Sequence, residues 1–185
     1  MKHQITRGLR RIGKSAALLC QPLSSNVRLY LKNKGNAMDY EKYENECKRI
    51  RKENKKLISD FGNWLAAKNL SSKTIKKHTS NVDFYVNEFL LYEDAVEAKD
   101  GTDKIGMYLG YWFIKKAMWA NIAAIKENAA SLKKFYQFMC ERGQISEEEF
   151  STLKESIKER MPEWLATMAR YDDPDIEDME KVWKL

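Results

Sequence analysis

An all-α fold follows from three features of this 185-residue sequence. Eight glycines and three prolines are too few for a many-stranded sandwich, which needs turn residues every ~8–12 positions. Apolar residues recur in alternating steps of three and four over long stretches, which is the rhythm of a helix face. At 43% apolar, the chain has enough material for the core of one domain.

Residues 1–37 stand apart from the rest of the chain. They carry eight Lys/Arg and no acid, with a brief apolar patch at 16–19, then Pro22 and a polar break at Ser24, Ser25 and Asn26. The apolar patch is too short for a secretory signal, and Leu19 is too bulky before Cys20 for a lipoprotein site; an organelle transit peptide fits the composition better. A simpler reading is that Lys34, Gly35 and Asn36 back-translate to a purine-rich ribosome-binding stretch just before a start codon at Met38. A genuine basic, disordered arm is the alternative, and the sequence leaves both open.

The body reads as helices in order. Tyr43, Cys47, Ile50, Asn54, Leu57, Phe61 and Trp64 form a stripe broken only by Asn54, so residues 40–68 predict one long amphipathic helix. Its first half is polar on the other faces and is expected to project into solvent. A second helix spans about 72–93, with a serine cap before it and Ile75, Val82, Val86 and Phe89 inward. Residues 93–101 are charged, contain the Asp100-Gly101 pair and predict a loop. Thr102 or Asp103 is placed to cap a third helix, apolar on nearly all sides and therefore central.

A fourth helix spans about 120–142, with Ile122, Ile125, Leu132, Tyr136 and Met139 inward, and stops at Gly143. Ser146 and Glu149 make a capping box for a fifth helix, with Phe150, Leu153 and Ile157 inward. Pro162 is expected to separate it from a short sixth turn around Trp164. The domain reading is thus a leader at 1–37, a helical domain at 38–170 and an acidic tail at 171–185, where residues 172–180 hold six acids.

Several function classes lose support. The three cysteines Cys20, Cys47 and Cys140 are odd in number, far apart and without a C-x-x-C pair, which argues against a disulfide framework or zinc site and for a reducing, cytoplasmic setting. The longest uncharged apolar stretch, residues 105–114, is about half the ~20 residues of a membrane span, so no membrane partner is expected. There is no nucleophile with its base, no paired carboxylates, no Gly-rich phosphate loop and no metal set. No cofactor and no enzymatic activity are therefore expected.

The net charge of +6 belongs to the leader, because residues 38–185 hold 25 bases against 27 acids. A local asymmetry survives: residues 48–78 carry ten bases against Glu53 and Asp60, whereas residues 79–185 carry 14 bases against 21 acids. One end of the body is suited to phosphate.

Two segments carry a family resemblance. The first is Phe61, Trp64 and Leu65, then Leu70, Ser71, Thr74 and Ile75, then His78, Val82, Phe89 and Leu90. The second is Ile122, Ile125, Leu132, Phe135, Tyr136 and Phe138 followed by Gly143 and Ile145. In this order and separation they resemble the N-terminal core-binding domain of phage integrases and other tyrosine recombinases, over about residues 55–146. The resemblance implies a SAM-like four-helix core-binding bundle, here with a long N-terminal helix and one or two additional C-terminal helices.

The resemblance also implies double-stranded DNA as partner, faced by the second and fourth helices. On the second helix the polar residues are Ser72, Lys73, Thr74, Lys76, Lys77 and Asn81; on the fourth they are Lys126, Ser131, Lys133 and Lys134. Lysines and hydroxyls at helical spacing suit sequence-independent phosphate contact, and the absence of arginine from both faces argues against strong base readout. The ordinary alternative is that these are solvated lysines. The family's catalysis needs a His-x-x-Arg, and neither His3 nor His78 has arginine at the third following position, so strand cleavage would need a separate catalytic recombinase. His78 is expected to pack rather than to ligate, and Tyr108, Tyr111, Trp112 and Phe113 to be core rather than base-stacking. A second function class also stands: a protein-interaction module whose 40–68 stripe self-associates. If the leader is untranslated, the intact mass of the native protein will correspond to a chain starting at Met38; a mature chain beginning upstream overturns that reading.

Overall fold

The computed structural model describes residues 37–176 and 178–183, and among these the protein is helical with no strand. The chain divides into two units, Met1–Lys42 and Tyr43–Leu185. Of the first, residues 37–42 are described and are helical. The readings made for the rest of the leader lie outside the described residues.

Helix α1 is Ala37–Ala67, close to the predicted span. Cys47, Ile50, Asn54, Phe61 and Leu65 form its buried face. The first half does not project freely, contrary to expectation. Cys47 and Ile50 pack on Leu91, with Tyr43 and Ala95 beside them, and the Tyr43 hydroxyl donates to the Leu91 carbonyl at 2.5 Å. The segment after the second helix folds back along α1 and covers its narrow apolar stripe. Cys47 and Ile50 of that stripe are therefore internal, and Tyr43 and Leu57 are half-buried. Asn54, which looked like a break in the stripe, is 2% exposed and donates to the Val86 carbonyl and to Asn87 Oδ1. It satisfies a buried polar position that an apolar residue would leave bare.

Helix α2, Ser72–Phe84, continues as a π segment, Tyr85–Phe89, and ends at Leu90. The charged loop after it closes in a 3-10 turn, Ala98–Gly101. Helix α3 then runs as Ile105–Met107, a π segment Tyr108–Trp112, and Phe113–Lys116. Neither Thr102 nor Asp103 caps it. Lys104 occupies the cap position, its amide donating to the Gly101 carbonyl of the preceding turn, and makes no side-chain cap bond because an ammonium group cannot accept one. The helix is central as predicted, with Ile105, Tyr108, Leu109, Phe113 and Ile114 buried. Its π segment meets that of α2 through rings: Tyr85 on Tyr108 at 4.8 Å and Phe89 on Trp112 at 5.4 Å.

Helix α4 is Ile122–Glu141, capped by Asn121, whose Oδ1 accepts from the Ala124 amide at 2.8 Å. It ends where Gly143 takes φ +67°, a conformation in which glycine has no Cβ penalty. Ile122, expected inward, is instead 42% exposed because it sits in the first turn beyond the packed stripe. Helix α5, Glu147–Tyr171, opens with the predicted capping box and does not stop at Pro162. The proline forfeits one backbone hydrogen bond and clashes with the preceding turn, at a cost of ~3 kcal/mol. Leu153 and Ile157 before it, and Trp164 and Met168 after it, are all buried on one side. Burying each of the latter two contributes ~1.5–3 kcal/mol, which offsets the break.

The tail also returns to the body. Helix α6 is Met179–Trp183; Val182 is buried, Arg170 Nε donates to the Val182 carbonyl at 2.8 Å, and Trp183 packs on Tyr111 at 4.7 Å. The last apolar residues of the acidic stretch thus anchor it on α3 and α5.

Where α3 meets α5, two glycines one turn apart face two large side chains one turn apart. A Cβ on Gly106 would run into the Arg160 guanidinium at Nη1, and one on Gly110 would stand 2.7 Å from Trp164 Cδ1. The two sites differ in what can yield. Arg160 is exposed and its guanidinium can swing away, whereas Trp164 is 3% exposed and fixed in the core. Gly110→Ala is therefore expected to destabilise the protein by ~1–3 kcal/mol through overpacking, and Gly106→Ala by clearly less. Urea unfolding of the two variants checks this; equal losses would mean that Trp164 is free to move.

Candidate nucleic-acid interface

The two helices singled out by the sequence, α2 and α4, pack directly against each other. Three polar residues fasten the seam. Ser131 is fully buried; its Oγ donates to the Glu127 carbonyl at 2.8 Å, lies 2.9 Å from His78 Nδ1 and accepts from Asn81 Nδ2 at 2.9 Å. A hydroxyl has one proton, here given to Glu127, so the His78 contact is Nδ1–H donating to oxygen. The seam explains why a serine and a histidine occur on otherwise apolar helix faces.

This geometry corrects part of the expected interface. Ser131 has no free hydroxyl to offer a phosphate, because all of its hydrogen-bonding capacity is spent inside the protein. Asn81 is half-buried and donates one amide N–H to the same seam. Thr74 is half-buried in the cap of α2: its amide donates to Ser71 Oγ and its hydroxyl lies 2.9 Å from the same oxygen. The cap is Ser71, which leaves Ser72 exposed as the first residue of the helix.

The lysines remain on the outside. Lys73, Lys76 and Lys77 of α2 are exposed, as are Lys126 and Lys133 of α4, and Lys134 is half-buried. Across these two helices the six lysines stand against Asp83, Glu88, Glu127 and Glu141. Lys77 Nζ bridges the helices to Glu127 at 2.9 Å, with both side chains about half exposed. Elsewhere in the basic stretch the charge is less free than a residue count suggests. Arg49 is held by Glu46, Glu53 and Glu97, and Lys68 lies by Glu141 and over the Trp64 ring. Trp64 Nε1 donates to Glu141 as well, so this end of α1 is fastened to α4.

Two features were not read from the sequence as functional. Asn54 is one. The other is an apolar tip between α3 and α4, where Met118 is 92%, Trp119 45% and Ile122 42% exposed. The available signal was the run between Asp103 and Glu127, which has four lysines and no acid. The aromatic run expected in the core is largely there: Tyr108, Trp112 and Phe113 are buried, while Tyr111 is partly exposed against Trp183. Among the described residues no group of three His, Cys, Asp or Glu could hold a metal ion, and no helix is long and apolar enough to cross a membrane. No family model, curated protein or solved structure matches the chain.

His78 links this seam to pH. Burial chiefly, and then the charges of Lys134 and Lys77, hold its imidazole below the ordinary 6.5, against a smaller opposing pull from Glu127. The unfolded chain therefore takes up the proton first as pH falls. The stability this group contributes is present above pH 6.5 and is lost as pH drops from there through the folded value. Denaturant melts should show stability falling below about pH 6.5, and His78→Gln should flatten that fall. Identical pH profiles for both proteins would remove His78 from the account.

Proposed function

We propose that this protein is a non-catalytic DNA-binding module, built like the SAM-like core-binding clamp of tyrosine recombinases from α1 to α4 and extended by α5 and α6. It would dock on duplex DNA in recombination or integration, with strand cleavage supplied by a separate catalytic recombinase. One observation carries the reading: the two helices that the resemblance assigns to DNA pack on each other and present six lysines outward against four acids.

The spacing supports phosphate contact. Lys126 and Lys133 are two helical turns apart, about 10 Å at 1.5 Å per residue, close to the axial rise of three nucleotides on one strand. The polar seam holds the helices in one register, so the lysines need little reordering on contact, which lowers the cost of binding. The corrected face is narrower than the sequence suggested: Ser72, Lys73, Lys76, Lys77, Lys126, Lys133 and Lys134 are its available groups. Self-association through the α1 stripe has less support, since Cys47 and Ile50 are covered by the chain itself.

A gel shift with a salt titration tests the proposal. Wild-type protein is expected to retard duplex DNA with affinity that falls steeply with salt. Reversal of Lys73, Lys77, Lys126 and Lys133 to Glu should cost ~100-fold or more and reduce the salt slope by roughly three to four. Circular dichroism should show the fold intact, because these side chains are exposed. Binding indifferent to both salt and the four reversals overturns the proposed surface.

A further inference from the structure

The apolar tip between α3 and α4 is built as a rigid projection. Ala117 ends α3 with its amide on the Phe113 carbonyl at 3.0 Å, and the Ala120 amide closes back on the Ala117 carbonyl at 2.9 Å. Asn121 then donates its side-chain amide to the Trp119 carbonyl and accepts from the Ala124 amide, so both ends of the turn are pinned. Trp119 is seated on Phe84 at 5.1 Å and against Phe113 at 6.5 Å, which makes it a platform rather than a loose ring. From that platform Met118 stands 92% exposed.

Single exposed apolar residues are ordinary, but here three of the seven large hydrophobics exposed among the described residues fall within five positions. Their surroundings narrow the occupant. Lys115 and Lys116 precede the tip, their ammonium groups exposed while donating to the Tyr111 and Tyr92 hydroxyls, Lys126 follows Ile122 by one turn, and no acid occurs between Asp103 and Glu127. Asp83 of α2 is next to Phe84 in sequence, and its carboxylate accepts from Asn87. The partner that suits an apolar point flanked by lysines and free of nearby acids in sequence is a polyanion with an apolar interior. A stacked nucleic-acid duplex has that construction.

We propose that Met118, supported by Trp119 and Ile122, is a wedge that enters between stacked base pairs of bound duplex DNA and kinks it. The inference rests on the DNA-binding reading above. Apolar wedges of this kind insert from the minor groove, partly unstack one step and bend the duplex, and methionine serves among them. Flexible pyrimidine–purine steps such as TA unstack most easily. The wedge therefore supplies a preference for deformable sites on a face that has no arginine to read bases. A turn pinned at both ends keeps the projection ordered before contact, so little ordering is needed on insertion.

The test uses the full chain and a duplex of about 30 base pairs with a central TA step, dye-labelled at its ends and carrying 2-aminopurine at that step. Wild-type protein is expected to bring the ends together and to raise 2-aminopurine fluorescence as the base unstacks. Met118→Ala, at an exposed site where folding is not at risk, should abolish both signals. Its affinity should fall about tenfold or less, because the lost contact is offset by the unstacking it no longer drives. Its salt slope should match wild type, because no charge is removed, whereas the lysine reversals reduce the slope. Wild-type binding without bending, or equal bending by Met118→Ala, overturns the wedge and leaves the DNA reading intact. Absence of wild-type binding at low salt overturns both readings. Met118-dependent flotation with phosphatidylserine–phosphatidylcholine vesicles in that case would assign the tip to an anionic membrane surface instead.

Discussion

Two buried tyrosine hydroxyls hold the turn from which the central helix starts. Tyr85 of α2's π segment donates to the Gly101 carbonyl, and Tyr136 of α4 donates to the Ala98 carbonyl at 2.9 Å. Both rings are fully buried, and burial pushes both phenols well above their ordinary titration range, so they remain donors at every physiological pH. A carbonyl left bare in this position costs ~1–3 kcal/mol, more than an ordinary hydrogen bond contributes. The clasp closes only around glycine: a Cβ at Gly101 would stand 2.7 Å from the Tyr136 hydroxyl and from Leu90 Cδ1. Because α3 has no side-chain cap of its own, this clasped turn is what fixes where it begins and how it enters the core.

From that constraint the outer face follows. The helices that supply the two tyrosines are the ones joined by His78, Asn81 and Ser131, so α2 and α4 are tied both to the 98–101 turn and to each other. Rigid pairing of two helices by buried polar groups specifies one register, since sliding either helix by a turn would leave Ser131 and Asn81 without partners. The positions of the exposed lysines are a consequence of that register. On the DNA-binding reading, seam and face divide the work: polar residues that looked available in sequence are consumed in holding the helices, and lysines that looked ordinary are left to meet the ligand.

Much of the fold was legible because helix periodicity and caps are local. The long α1, the Ser71 cap, the Gly143 stop and the Ser146–Glu149 box each depend on residues within a few positions of one another. The failures have a common origin in contacts across the chain. Pro162 reads locally as a break, yet Leu153, Ile157, Trp164 and Met168 kept the three-four rhythm through it, and tertiary burial prevailed. Thr102 and Asp103 are good local caps, but the 3-10 turn before them carries on through a Lys104–Gly101 bond and places Lys104 at the helix start. Ser131 read as a phosphate donor because nothing in a linear pattern tells that His78 and Asn81, some fifty residues earlier, would claim it. The tip at Met118 and Trp119 was missed for the opposite reason, since apolar residues are assumed inward unless a pinned turn forces them out.

The Lys77–Glu127 bridge shows how charge count and binding capacity come apart. An exposed pair of this kind is worth at most about 1 kcal/mol, because water already solvates both partners well. A phosphate reaching Lys77 would release condensed counterions from the duplex, a gain that grows as salt is lowered, so at low ionic strength the bridge yields to the ligand. Glu127 does not leave, however; it stays on the next helix and repels the same phosphate, which weakens the contact and lowers its share of the salt dependence. Arg49 is a different case, clamped by three carboxylates from two segments, and a ligand would have to displace all of them at once. On the DNA-binding reading Arg49 therefore contributes less than its charge suggests. On the same reading α2 and α4, whose exposed lysines stand on a locked frame, are where a polyanion would meet the least resistance.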